Sequence, residues 1–232
     1  MSTQQGIKQA RPIETIRINR YLIGGKQSTK AELIAQPFVV AGTGLPEKGT
    51  AYGFADESSL GRWAAGTSHA DAITRTLEAM KRGQRLEGTD EGAQAVKNSE
   101  AEVERVRGEL EAISRKKGVG VGSFFGMAGE GNPPGSGVPL SPIPLLFDRV
   151  DDSGTLTEPP VFGGSVFPVI ATIPTFFRFN DKASGAFVPG VCTLFDKTFF
   201  RGSARFLFGF PFSTFVLADL DFDNRAASGI AL

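Results

Sequence analysis

His69 and Cys192 are the only histidine and the only cysteine in this 232-residue chain. One Cys excludes an internal disulfide framework and any multi-cysteine zinc site. One His excludes any site with two His ligands. No Gly-x-Ser-x-Gly elbow or other nucleophile pattern accompanies His69. Following Ser68 near a helix start, His69 is expected at the surface. Cys192 lies in the apolar run Val191-Cys-Thr-Leu-Phe195 and reads as a small buried hydrophobe. Two glycine-rich stretches, Gly42–Thr50 and Gly118–Gly122, invite a phosphate-loop reading. Neither joins a strand to a helix start with Gly-Lys-Ser/Thr, so neither fits one. No constellation for enzymatic catalysis is visible, and a non-enzymatic protein is expected.

The remaining chemistry is oxygen chemistry, in Asn180-Asp181-Lys182-Ala183-Ser184 and Asp223-Asn224-Arg225-Ala226-Ala227-Ser228. Such acid and amide pairs make tight turns without any metal. They also offer the oxygens that a hard cation prefers. Asp219, Asp221 and Asp223 alternate, which places them on one strand face as added negative potential or as a solvated surface.

The two loops belong to a doubled pattern. Leu146-Phe147-Asp148 matches Leu194-Phe195-Asp196, and Phe162-Gly163-Gly164-Ser165 matches Phe200-Arg201-Gly202-Ser203. The loops themselves, each led by Phe179 or Phe222, match in the same order. The first copy carries an insertion around Asp151 to Pro160. A repeated, strand-rich unit with glycine turns argues for an all-β sandwich, with Val166–Ile170 and Ala204–Phe208 as its paired middle strands.

Phe195, Phe200 and Gly202, with Ser203 beside them, have the aromatic spacing of a βγ-crystallin Greek key, and both loops resemble that family's calcium loops. Residues 140–232, roughly, thus resemble one microbial-type βγ-crystallin domain. The resemblance implies a wedge of two four-stranded sheets with a positive-φ glycine in each corner. It also implies two calcium sites between the paired loops. One would use the Lys182 carbonyl and the Ser184 hydroxyl, with Asp223 or Asn224 across. The other would use the Arg225 carbonyl with Asn180 or Asp181 across, but has Ala227 where a hydroxyl belongs. The first loop has Gly185 in place of the family's second Ser, and the first copy's corner is reduced to Phe162-x-Gly164.

The elements that must carry these loops follow from composition. The chain is 41% hydrophobic and 22% charged, with 25 basic and 25 acidic residues. That balance argues against general nucleic-acid binding, which needs a basic face. Eighteen of the 20 Phe lie at or after position 124. Residues 1–66 read as a small α+β unit behind a disordered tail. Its strands are Ile13–Ile23, ending at Gly24-Gly25, then Phe38–Val40 and Tyr52–Phe54, with a helix capped by Asp56. Residues 67–117 read as a helical hairpin. Its first helix would be capped by Ser68 with Asp71 and stopped by Gly83. Its second, from about Asp90 to Lys116, carries Val96, Val103, Val106, Leu110 and Ile113 as a narrow apolar seam, either packed on its own chain or offered to a partner. Residues 118–142 read as a Gly/Pro linker, where few contacts cross, and 143–232 as the β-sandwich. The fold class is therefore α+β. Phe206, Phe208, Phe210 and Phe212 alternate on one strand face, as core or as a partner-binding patch.

No stretch is long and apolar enough to span a bilayer. The first thirty residues lack the apolar core of a secretory leader, so a cytoplasmic, non-membrane protein is expected, with non-classical export left open. The functional expectation is a structural or assembly protein with a calcium-binding βγ-crystallin-like domain and a homo-oligomeric or other protein partner. The alternative is a binding module or protein inhibitor acting through loops of the sandwich.

Overall fold

A computed structural model describes residues 14–117, 143–151, 161–210 and 212–232. The expected tail and linker, and most of the expected insertion, lie outside the described residues. The chain opens with β1 (Glu14–Ile16), then the hairpin β2 (Arg20–Ile23) and β3 (Lys26–Ser28). Gly24 and Gly25 turn that hairpin at φ +56 and +76, as a turn with two positive-φ residues requires. The short α1 (Lys30–Ile34) follows, started by a Thr29/Glu32 capping box. β4 (Phe38–Gly42) and β5 (Thr50–Phe54) lead to α2 (Glu57–Ala64), where Asp56 Oδ1 accepts from the Ser59 N–H at 2.6 Å, as expected of an N-cap.

The hairpin of α3 (Ala70–Leu86) and α4 (Asp90–Lys117) differs from expectation in its ends. His69, not Ser68, occupies the N-cap of α3 and makes no capping bond through its side chain. Gly83 does not stop the helix. It lets the Phe200 ring approach, since a Cβ there would lie 2.1 Å from that ring. The turn comes at Gly88, at φ +76.

The C-terminal strands are β6 (Leu145–Asp151), β7 (Val161–Pro168), β8 (Thr172–Ile173), β9 (Gly185–Val188), β10 (Val191–Phe195), β11 (Ala204–Phe208), β12 (Ser213–Val216) and β13 (Ser228–Ala231). They form two four-strand Greek keys that exchange their third strands. One sheet contains the order β12-β9-β6-β7 and the other β8-β13-β10-β11, so each key lends a strand to its twin. This is the all-β sandwich expected of the doubled pattern. The chain is α+β with a Greek-key β domain.

The N-terminal strands enlarge both sheets. β1 pairs in parallel with β12, and β4 pairs in parallel with β11 along Phe38–Gly42. The sheets thereby become five- and eight-stranded, in the orders β1-β12-β9-β6-β7 and β3-β2-β5-β4-β11-β10-β13-β8. The expectation that few contacts cross from residues 1–142 to 143–232 is corrected: main-chain hydrogen bonds join β1 to β12 and β4 to β11. The middle strands expected to pair, β7 and β11, hold equivalent places in the two keys but lie in different sheets.

Three layers result, and strand periodicity shows why. Val39, Ala41 and Leu207 face the small sheet with Leu146, Val188, Cys192, Leu194 and Phe222. Val40, Phe206 and Phe208 point the other way, beneath Leu60, Ile73 and Met80 of α2 and α3. A strand buried on both faces reads as a continuous apolar run rather than an alternating one. Phe206 and Phe208 are thus core, whereas Phe210, beyond the strand, is 58% exposed. His69 is also core rather than surface. It stacks on Phe208 with ring centroids 4.0 Å apart, and its Nε2 lies 3.1 Å from the Thr43 carbonyl oxygen. Burial lowers its pKa. Cys192 is fully buried as expected, and burial raises its thiol pKa, away from reactivity.

Candidate functional site

The second key's corner shows how the sequence builds the site. Phe195 on β10 packs edge-on against Phe200 at 5.5 Å. Gly202 turns the chain at φ +74, where a Cβ would sit 1.9 Å from Asp196 Oδ1. That same oxygen accepts from the Ser203 N–H at 2.8 Å. Ser228 Oγ donates to the Lys197 carbonyl at 2.7 Å and accepts from the Phe200 N–H at 3.1 Å, tying the corner to β13. Gly185 holds the place of Ser228 in the first key, so that key has no side chain to make the tie. Gly164 lies inside β7, not in a corner. The β6–β7 connection at 152–160 lies outside the described residues.

The two acid/amide loops connect third and fourth strands, and the strand exchange brings them side by side. Asp181 donates its N–H to the Ala226 carbonyl at 3.1 Å, and Asn224 donates its N–H to the Ala183 carbonyl at 2.9 Å. These reciprocal bonds relate the loops by an approximate twofold. Asp181 and Asn224 hold matching left-handed conformations, at φ 54 and 53, which short polar side chains tolerate best. Ser184 and Ala227 also correspond: their N–H groups donate to Phe147 and Phe195, the matched aromatics, both at 2.8 Å.

The oxygens sort into engaged and available. The carbonyls of Ala183 and Ala226 are used in the cross-loop bonds. Among the described residues, no hydrogen bond reaches the carbonyls of Lys182 and Arg225, the third position of each loop. Among the described residues the Ser184 hydroxyl meets only the Asp148 carbonyl, at 3.5 Å. Asn180 Oδ1 accepts from the Phe176 N–H at 3.0 Å and closes its own loop, which leaves Asp181 as the exposed acid on that side. Asp223 accepts from Asn224 Nδ2 at 3.1 Å, and both side chains are exposed. Among the described residues no cluster of three or more His, Cys, Asp or Glu could hold a metal. An ion here would rest chiefly on carbonyl and hydroxyl oxygens, a donor set that fits calcium rather than a softer metal.

Charges around the second loop were not apparent from the sequence. Arg225 reaches Asp196 at 3.0 Å and Asp221 at 2.9 Å, and its guanidinium carbon lies 5.6 Å from the Phe222 ring centroid. Arg205, fully buried on β11, lies 5.1 Å from the same ring and donates to the Leu220 carbonyl at 3.3 Å. Burial, with Arg225 nearby, pushes the Arg205 pKa down to about 10, which leaves it charged at neutral pH. The three aspartates do not share a strand face. Leu217–Leu220 is a 3₁₀ turn, Asp221 is left-handed at φ 51, and Asp219 instead accepts from Arg17 Nε at 2.9 Å and the Ile18 N–H at 3.1 Å.

The predicted seam on α4 divides. Val103 is 3% exposed and packed in this chain's own core, so it is not available to a partner. Val96, Val106 and Leu110 are half-buried, and Ile113 is 39% exposed.

No protein-family model matches the sequence, and no curated protein matches it. Among solved structures, the chain is similar to a βγ-crystallin from Ciona intestinalis, at 20% identity and TM-score 0.31, over 38% of this chain and 98% of that one. It is also similar to a structure described as "Evolution of the eye lens beta-gamma-crystallin domain fold", at 19% identity and TM-score 0.32, over 44% of this chain and 91% of that one. The strand exchange, not these scores, carries the fold. Among the described residues no helix is long and apolar enough to cross a membrane.

Proposed function

We propose that this is a non-enzymatic structural or assembly protein whose paired loops bind calcium, the site at Ser184 more tightly than its twin. One observation carries this reading: reciprocal main-chain bonds hold the loops together while, among the described residues, no hydrogen bond reaches the third-position carbonyl of either. Lys182 would give its carbonyl and Ser184 its hydroxyl, with Asp223 or Asn224 across. The twin would use the Arg225 carbonyl and Asp181, and water in place of the side-chain oxygen that Ala227 lacks. Bound calcium would supply a rigid cross-link between the two keys. An ion that binds only the folded state at a hundredfold excess over its dissociation constant stabilises by about 2.7 kcal/mol. For a chain of this size that raises the melting temperature by roughly 5–11 °C. Ser184→Ala is expected to remove most of the rise and Ala227→Ser to enlarge it. Equal shifts for wild type and both variants would contradict the asymmetry.

Association through the second half of α4 belongs to the same reading. The apolar stripe continues past Val103, where it packs on the chain itself, to the more exposed Val106, Leu110 and Ile113. Leu110→Asp is expected to dissociate a homo-oligomer in sedimentation without lowering the melting temperature by more than a few degrees. A wild-type protein that stays monomeric at high concentration contradicts association and favours a binding module acting through its loops.

A further inference from the structure

A cavity of about 450 Å³ lies where α4 crosses the segment that enters the first acid/amide loop. Its floor is aromatic. Phe167 stacks on Phe179 with centroids 5.3 Å apart and tilts against Phe176 at 5.0 Å. Phe177, half-buried at the cavity wall, holds φ +53, a left-handed conformation that a bulky side chain rarely adopts. Backbone strain of this kind concentrates where side chains must be presented to a ligand.

The rim is charged unequally. Arg107 is committed to its own helix, 3.5 Å from Glu104 and 3.6 Å from Glu111. Shared between two acids, Arg107 is not free for a ligand and only partly offsets Glu104. Arg178 and Lys182 are exposed at the rim, and among the described residues neither has an ion pair or a side-chain hydrogen bond. Against these two cations stand two lining acids, Glu100 and the partly offset Glu104. An aromatic floor beneath two unpaired cations matches one chemical class: a compact molecule with a flat apolar body and an anionic head.

We propose that this cavity is a binding site for an amphipathic aromatic anion. The apolar body would rest on Phe167, Phe177 and Phe179, and the carboxylate or sulfonate would meet Arg178 and Lys182.

The probe is anilinonaphthalene sulfonate, an aromatic sulfonate whose fluorescence rises in apolar surroundings, titrated into the folded full chain. Saturable one-to-one binding is expected, with the neutral phenylnaphthylamine at least tenfold weaker. The double variant Arg178→Ala/Lys182→Ala alters only exposed side chains and is expected to bind the sulfonate at least tenfold more weakly. Glu100→Gln, which removes an opposing charge, is expected to bind two- to threefold more tightly. Phe210→Ser, which removes an exposed ring elsewhere, is expected to bind as wild type does. The proposal is overturned if binding is not saturable, if the double variant binds like wild type, or if the neutral analogue binds as tightly as the anion.

Discussion

Gly42→Ala is expected to melt well below the wild type. Gly42 ends β4 at φ +137, opposite Phe208 of β11, and a Cβ there would lie 2.0 Å from the Phe208 carbonyl oxygen. That oxygen already accepts from the Thr43 N–H at 2.7 Å and from Thr43 Oγ1 at 3.2 Å. The new methyl can be housed only by moving main chain at the junction of the N-terminal strands with the β-sandwich. Overpacking of about 1–3 kcal/mol adds to backbone strain of similar size. A combined loss of about 4 kcal/mol lowers the melting temperature by roughly 8–16 °C. Gly61→Ala is the control. Gly61 lies inside α2 with open space where its Cβ would go, so alanine is expected to be neutral or to stabilise by about 0.5–1 kcal/mol. If Gly42→Ala melts with the wild type, β4 and β11 are not joined as described.

Phe222→Ala is expected to be at least as damaging, for a different reason. The ring is fully buried in the core between the sheets, and its backbone leads directly into the second loop. Deleting it costs about 3–5 kcal/mol in lost burial and residual cavity. It also leaves the buried Arg205 without the ring its guanidinium faces, an interaction of up to about 2 kcal/mol when desolvated. Phe222→Leu keeps most of the apolar volume and loses the aromatic face. It is expected to fall between wild type and alanine in a denaturant titration. A leucine variant as stable as the wild type would mean that the two arginines draw nothing from the ring.

Much of this arrangement was legible in the sequence because repetition is a strong signal. The matched Leu-Phe-Asp and acid/amide segments fall on equivalent strands and loops of the two keys, and the Phe195, Phe200 and Gly202 corner has the expected shape. Local rules likewise placed the Gly24-Gly25 turn and the Asp56 cap. What the sequence hid was long-range. Nothing in Phe38–Gly42 says that it will pair with β11, more than 160 residues later. With that pairing unknown, the outer face of β11 looked free, and Phe206, Phe208 and His69 could not be placed beneath the helices. Gly83 misled because a helix-stopping glycine and a glycine that admits a neighbouring ring look alike in one dimension. The alternating aspartates misled because a left-handed residue at Asp221 breaks the strand period. At the candidate calcium site the loops were legible. The commitment of Asn180 to its own loop, and of Arg225 to Asp196 and Asp221, required three dimensions.

Calorimetric titration of calcium into the full chain tests the central claim most directly. The full chain is needed because β1 and β4 complete the sheets that hold the loops. The expected result is saturable heat that resolves into two unequal sites, the tighter one lost in Ser184→Ala. No heat at millimolar calcium would contradict the claim and leave both loops as plain turns in a metal-free sandwich.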